Sequence, residues 1–157
     1  MVAAVLVLSA LCAPPAPPST GPPPVRMDVV AIHALDEPRS GKQYENGLEG
    51  VKAALEDLPY NTYRRLDAAN VSAPFNEDTI VPLTDRHRLY LRPLSKEPHD
   101  QVRLNVRLHM TRKPETGGVS VNAINTTVIA GAGRQVKLRG VKLDQGELVV
   151  VITVEKR

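Results

Sequence analysis

Basic residues dominate the segment from Asp85 to Lys113. Arg86, Arg88, Arg92, Lys96, Arg103, Arg107, Arg112 and Lys113 stand there against Asp85, Glu97 and Asp100. Guanidinium groups held on one surface recognise carboxylates, sulfates and phosphates through charge-assisted, paired hydrogen bonds. Spacing decides whether these groups share a surface. From Val102 to Met110, apolar residues alternate with Arg103, Asn105, Arg107 and His109, which is the period of a strand with one wet face. Leu89 and Leu91 alternate in the same way with Arg88, Tyr90 and Arg92. A hairpin of these two strands puts Arg88, Arg92, Arg103 and Arg107 on one solvent face, suited to an anionic polymer or a lipid headgroup. The plainer reading is a solvated sheet face whose charges discourage unwanted pairing. Nucleic acid is not the expected partner, because the chain has four Tyr, one Phe and no Trp to stack on bases.

Other reactive residues form no constellation. His33, His87, His99 and His109 lack metal-ligand spacing to one another, to a cysteine or to clustered carboxylates, so neither metal nor cofactor is expected. No G-x-S-x-G motif presents a nucleophilic serine. Gly131-Ala132-Gly133 has the start of a dinucleotide fingerprint, but a short basic strand follows it rather than a helix, so it reads as a turn. Glu45, Glu49, Glu56 and Asp57 give a helical segment an acidic outer face. A pair of carboxylates assembled only by the fold is the enzymatic alternative, a hydrolase of envelope polymers. Asn70-Val71-Ser72 and Asn125-Thr126-Thr127 match the N-glycosylation pattern, which matters only where the source glycosylates its secreted proteins.

The elements that must position these residues are mostly strands. Met27–Ala34 reads as a first strand, and Tyr44, Leu48, Val51, Leu55 and Leu58 form one apolar stripe of a helix over 43–57. Gly47 and Gly50 weaken that helix, and Pro59 closes it. Short strands follow at Tyr60–Leu66, Val71–Phe75, Thr79–Leu83, Arg88–Leu91 and Val102–Met110, with a hairpin turn at Thr116-Gly117-Gly118. Apolar parity slips between Val119 and Ala130, which predicts a β-bulge near Asn122–Asn125. Val136 and Leu138 mark a short strand, and Leu148–Val154 is a continuous apolar run expected to be covered on both sides. The pattern predicts a mainly β fold: an antiparallel β-sandwich or barrel-like domain of about eight short strands with one N-terminal amphipathic helix.

Hydrophobic residues make up 42% of the 157 and charged residues 24%, which excludes wholesale disorder. The 14 prolines are uneven, with seven of them before residue 25. Val2–Ala13 is an uncharged apolar run, too short to span a bilayer but suited to a signal peptide that Ala10 or Ala13 would let a protease cut. Residues 14–26 follow as an extended Pro-rich spacer, and 27–157 as a single β-rich domain. The expected location is exported, periplasmic or extracellular. Cys12 ends the apolar run where exported bacterial proteins can be lipidated, which would anchor the chain to a membrane. Leu11 stands where a small residue is expected before such a cysteine, so the simpler reading makes Cys12 one more apolar residue of the leader. With a single cysteine there is no internal disulfide.

The block Leu58-Pro59-Tyr60-Asn61-Thr62-Tyr63 and the closing Gly146-Glu147-Leu148-Val149-Val150 resemble an uncharacterised family of small exported bacterial β-rich proteins. That family has a signal peptide, a short helix, an L-P-[FY]-x-[ST]-[FY] segment and a final G-x-L-V-V strand. The resemblance covers residues 43–154 and implies an exported β domain, with no catalytic residue to carry over. The expected function is a non-enzymatic envelope-associated module for binding, structure or assembly, its partner an envelope protein or anionic polymer. An adaptor that adds an edge strand to a partner's sheet is a further possibility, and it requires an uncovered edge.

Overall fold

A computed structural model describes residues 21–111 and 120–156. The leader with Cys12, most of the Pro-rich spacer, and the turn at 116–118 lie outside the described residues.

Among the described residues, nine strands form two sheets packed face to face. In chain order they are β1 (Val25–Leu35), β2 (Gln43–Tyr44), β3 (Thr62–Ala73), β4 (Thr79–Pro82), β5 (His87–Glu97), β6 (Gln101–Thr111), β7 (Ser120–Gly131), β8 (Gln135–Lys142) and β9 (Glu147–Val154). One sheet has the order β2-β3-β1-β9-β8 and the other β4-β5-β6-β7. Among the described strands every pairing is antiparallel except the two-residue β2–β3 contact, and an isolated parallel bridge joins Ala132 to Val154. Neither sheet closes on itself, so of the two expected architectures the chain adopts the sandwich. β1 begins at Val25, which is buried, so the folded region starts within the expected spacer.

The main core lies between the sheets. Met27, Val29, Leu89, Leu91, Leu104, Val106, Leu108, Leu148, Val150 and Ile152 meet there. With so few aromatics, branched aliphatic side chains fill the interior. A second cluster lies on the opposite face of the five-stranded sheet, where Leu48, Val51, Leu55, Leu58 and Tyr63 cover Ile32, Val149 and Val151. β9 is therefore covered on both sides, which accounts for its unbroken apolar run.

The helix is shorter than its apolar stripe predicts. A 3-10 turn at Glu49–Val51 leads into α1 (Lys52–Leu55), and Tyr44 sits in β2 instead, its ring stacked on Tyr63 at 5.0 Å. Gly47 takes a φ of +88°, a left-handed conformation that no helix contains. The stripe's residues nonetheless pack together as a plug, with Leu48, Val51, Leu55 and Leu58 all buried. The expected strands Tyr60–Leu66 and Val71–Phe75 are one strand, β3, paired with β1 along its length and bulged at Leu66. The bulge predicted in β7 is present. Leu108 faces Ile124 and His109 faces Asn122, which leaves Ala123 as the extra residue. None of the described helices is long and apolar enough to cross a membrane.

Candidate functional site

Strand pairing assembles the arginine face. β5 sets Arg88 opposite His109, Tyr90 opposite Arg107 and Arg92 opposite Asn105, while β6 sets Arg103 opposite Ile129, Asn105 opposite Thr127 and Arg107 opposite Asn125. Leu89, Leu91, Leu104, Val106 and Leu108 point into the core. Their neighbours Arg88, Arg92, Arg103 and Arg107 therefore share the outer face of the four-stranded sheet.

Two carboxylates join them. Asp78 precedes β4, and the pairing of Thr79 with Leu91 brings it beside Arg92. Its Oδ1 accepts from Arg92 Nε at 2.9 Å, and its Oδ2 from Arg92 Nη2 at 2.8 Å and Arg107 Nη2 at 2.6 Å. These hydrogen bonds, from Arg92 first and then Arg107, hold the Asp78 carboxyl below the usual carboxylate range. Glu97 accepts from Ser95 Oγ at 2.7 Å and Arg103 Nε at 2.9 Å, and its pKa is lowered as well. Arg88 is exposed and forms no ion pair among the described residues.

An aromatic contact stiffens the centre of the face. The Arg107 guanidinium lies 5.4 Å from the Tyr90 ring centroid, and the Tyr90 and His109 rings are 4.4 Å apart. Arg107 Nε and His109 Nε2 are both covered and make no hydrogen bond among the described residues. Asn105, Asn125 and Thr127 extend the surface with amide and hydroxyl groups, and Asn105 Nδ2 donates to the Thr126 carbonyl at 3.2 Å. Exposed Ile80 and Ile129 flank it. The face offers several fixed hydrogen-bond donors and a modest excess of positive charge. Ser120 Oγ lies 3.4 Å from His109 Nδ1 at the edge of the face, a long and exposed contact, and His109 Nε2 meets no carboxylate among the described residues that would orient the ring as a base.

The remaining candidates disperse. His33 bonds the Gln145 carbonyl, His87 is buried in β5, and His99 occupies the β5–β6 turn with a φ of +60°. No group of three or more metal-ligating side chains occurs among the described residues. The acidic residues near the helix serve local contacts: Glu45 accepts from Arg65 N at 2.6 Å, and Asp57 from Lys137 Nζ at 2.5 Å. Gly131-Ala132-Gly133 links β7 to β8 and bridges the sheets, with Gly133 N donating to Val154 O at 2.6 Å. Asn70, in the first glycosylation pattern, donates to Asp28 at 2.8 Å and Glu155 at 2.5 Å.

A cleft of about 520 Å³ opens at one end of the sandwich, lined by Pro23, Phe75, Lys96, Asp100, Val102 and Glu155 among others. The Asp100 side chain there is 80% exposed and sits 3.9 Å from Lys96. Such exposure supplies none of the burial that turns a carboxyl into a general acid.

Sequence reasoning missed two partners. Asp78 lies outside the basic segment, and only the β4–β5 register signals it. Glu147 opens β9 as a buried carboxylate. It accepts from Tyr60 Oη at 2.8 Å, Arg139 Nη2 at 3.2 Å and Gly140 N at 2.7 Å. Burial opposes its ionisation, but the bonds from Arg139, Gly140 and Tyr60 prevail and its pKa falls. This cluster pins the irregular stretch between Leu138 and Val141. Comparison with known proteins yields no matching family model, no matching curated protein and no matching solved structure.

Proposed function

We propose that the chain is an exported, non-enzymatic binding module of the cell envelope, and that the outer face of its four-stranded sheet holds an anionic polymer. The observation that carries this reading is the convergence of four guanidinium groups on one face against two carboxylates, with Arg88 left without an ion pair among the described residues. The Asp78 and Glu97 pairs fix the arginine planes, so an incoming chain of anions meets donors already in position. Export is supported by the apolar Val2–Ala13 run and the prolines that follow it. The quoted Leu58–Tyr63 and Gly146–Val150 segments support kinship with the exported β-rich family.

Affinity chromatography on a polyanion such as heparin tests the reading. The wild-type chain should be retained and released by salt, since exposed charges are screened. Replacing Arg88, Arg92, Arg103 and Arg107 together by Gln should abolish that retention while circular dichroism stays unchanged. Equal retention of the folded variant overturns the proposal.

A further inference from the structure

The sandwich has four sheet edges, and three of them carry protection against pairing. β2 covers only Thr62 and Tyr63 of β3; beyond them the edge holds Arg64, Arg65 and Asp67 around the Leu66 bulge and ends in an uncharged run, Ala68–Ala73, half the length of β7. β8 carries Lys137, Arg139 and Lys142 and an irregularity between Leu138 and Val141. β4 is four residues long and ends in Pro82. Charges, bulges, prolines and brevity are the usual devices by which an edge avoids another chain.

β7 is different. Its 12 residues contain no charge and no proline, and at about 3.3 Å per residue it runs for roughly 40 Å. Its one irregularity, Ala123, lies near its start, so Ile124–Gly131 is regular. Among the described strands only β6 pairs with it. Asn125, Thr127 and Ile129 are exposed along this stretch.

We infer that β7 is a self-association edge, through which two copies of the chain pair antiparallel about a two-fold axis at Thr127. A charged edge repels its own copy, whereas β7 has nothing to repel with. The charged stretches of the β3 and β8 edges, Arg64–Asp67 and Lys137–Lys142, would each bring guanidinium or ammonium groups against the incoming strand. Residues opposite one another in an antiparallel pair lie on the same face, so the axis must pass through a residue rather than between two. Centring it on Thr127 uses the whole regular stretch: Ile124 faces Ala130 and Thr126 faces Val128 on the core side, while Asn125 faces Ile129 and Thr127 faces its own copy outside. Exposed Ile129 thereby gains cover, and two threonines meet as a favourable cross-strand pair. A two-fold contact also consumes the edge, which ends growth at two copies. This inference is independent of the polyanion reading.

The test is sedimentation of the full chain across the micromolar range, on a Cys12→Ser background. A dimer should form with rising concentration. Thr127→Lys, which places two ammonium groups opposite each other, should return it to monomer across that range with an unchanged circular dichroism spectrum. Thr127→Cys should give a covalent dimer on mild oxidation, and Ser72→Cys on the β3 edge should not; this arm stands even if the lysine variant fails to fold. A wild-type chain that stays monomeric, grows past two copies, or dimerises equally well with folded Thr127→Lys overturns the inference.

Discussion

Arg107 reaches Asp78 across 29 positions of sequence, with Nη2 donating to Oδ2 at 2.6 Å. The same oxygen accepts from Arg92 at 2.8 Å, so one carboxylate serves as counter-ion to two of the four arginines on the face. Asp78→Asn removes that charge while keeping an oxygen acceptor. The variant should elute from a polyanion column at higher salt than the wild type. The aspartate's lowered pKa fixes the sign of its pH effect: its contribution to stability is present above about pH 4 and fades as the pH falls through the folded value. Melting curves of wild type and variant should therefore converge in acid.

Glu147 offers a sharper stability test, because it is buried and accepts hydrogen bonds from three residues, Tyr60, Arg139 and Gly140. Glu147→Gln replaces an acceptor-only group with one that must also donate, which strands donors of Arg139 or Gly140. The cost should be about 1–3 kcal/mol in urea unfolding. Tyr60→Phe deletes one of the bonds and should cost about 0.5–1.5 kcal/mol.

Acid should also act through His87. Burial, the main influence, pushes this imidazole below the ordinary value of 6.5, and its Nε2 has no hydrogen-bond partner among the described residues. Below that pH the unfolded chain binds more protons than the folded one, so stability falls as pH falls. His87→Asn keeps a polar atom near Thr84 Oγ1, which lies 2.9 Å from His87 Nδ1. Its melting temperature should show a flatter slope than the wild type just below pH 6.5.

Gly146, in the β8–β9 turn, has a φ of +80°, and a Cβ there would overlap the Ala34 carbonyl oxygen. Backbone forms both sides of that contact, so no side chain can move to relieve it. Gly146→Ala should lose at least about 2 kcal/mol of unfolding free energy, by denaturant titration.

Alternation was the most legible feature of this chain. Val102–Met110 announced its two faces because one is core and the other wet, and the parity slip after Val121 located the extra residue in β7. Apolar continuity likewise marked β9, since cover on both sides removes any need to alternate. β3 was less legible between Asp67 and Asn70. There its backbone pairs with β1 while small and polar side chains face solvent, and pairing leaves no hydrophobic trace. The helix misled because five apolar side chains can share one cluster without sharing one coil, given a glycine, Gly47, to turn the chain. As for the site, parity placed the four arginines together, but their counter-ions depend on long-range register. Asp78 and Glu147 each gain partners that no local window contains.

β1 and β9 are adjacent antiparallel strands, with Met27 opposite Val154 and Glu155 N bonded to Arg26 O at 3.0 Å. The domain's two ends therefore leave from the same pole. Tension applied between them loads this ladder as a zipper rather than in shear, and its hydrogen bonds break in succession from the Met27–Val154 end. A fold secured by a dense interior should thus yield to a small pull at its ends.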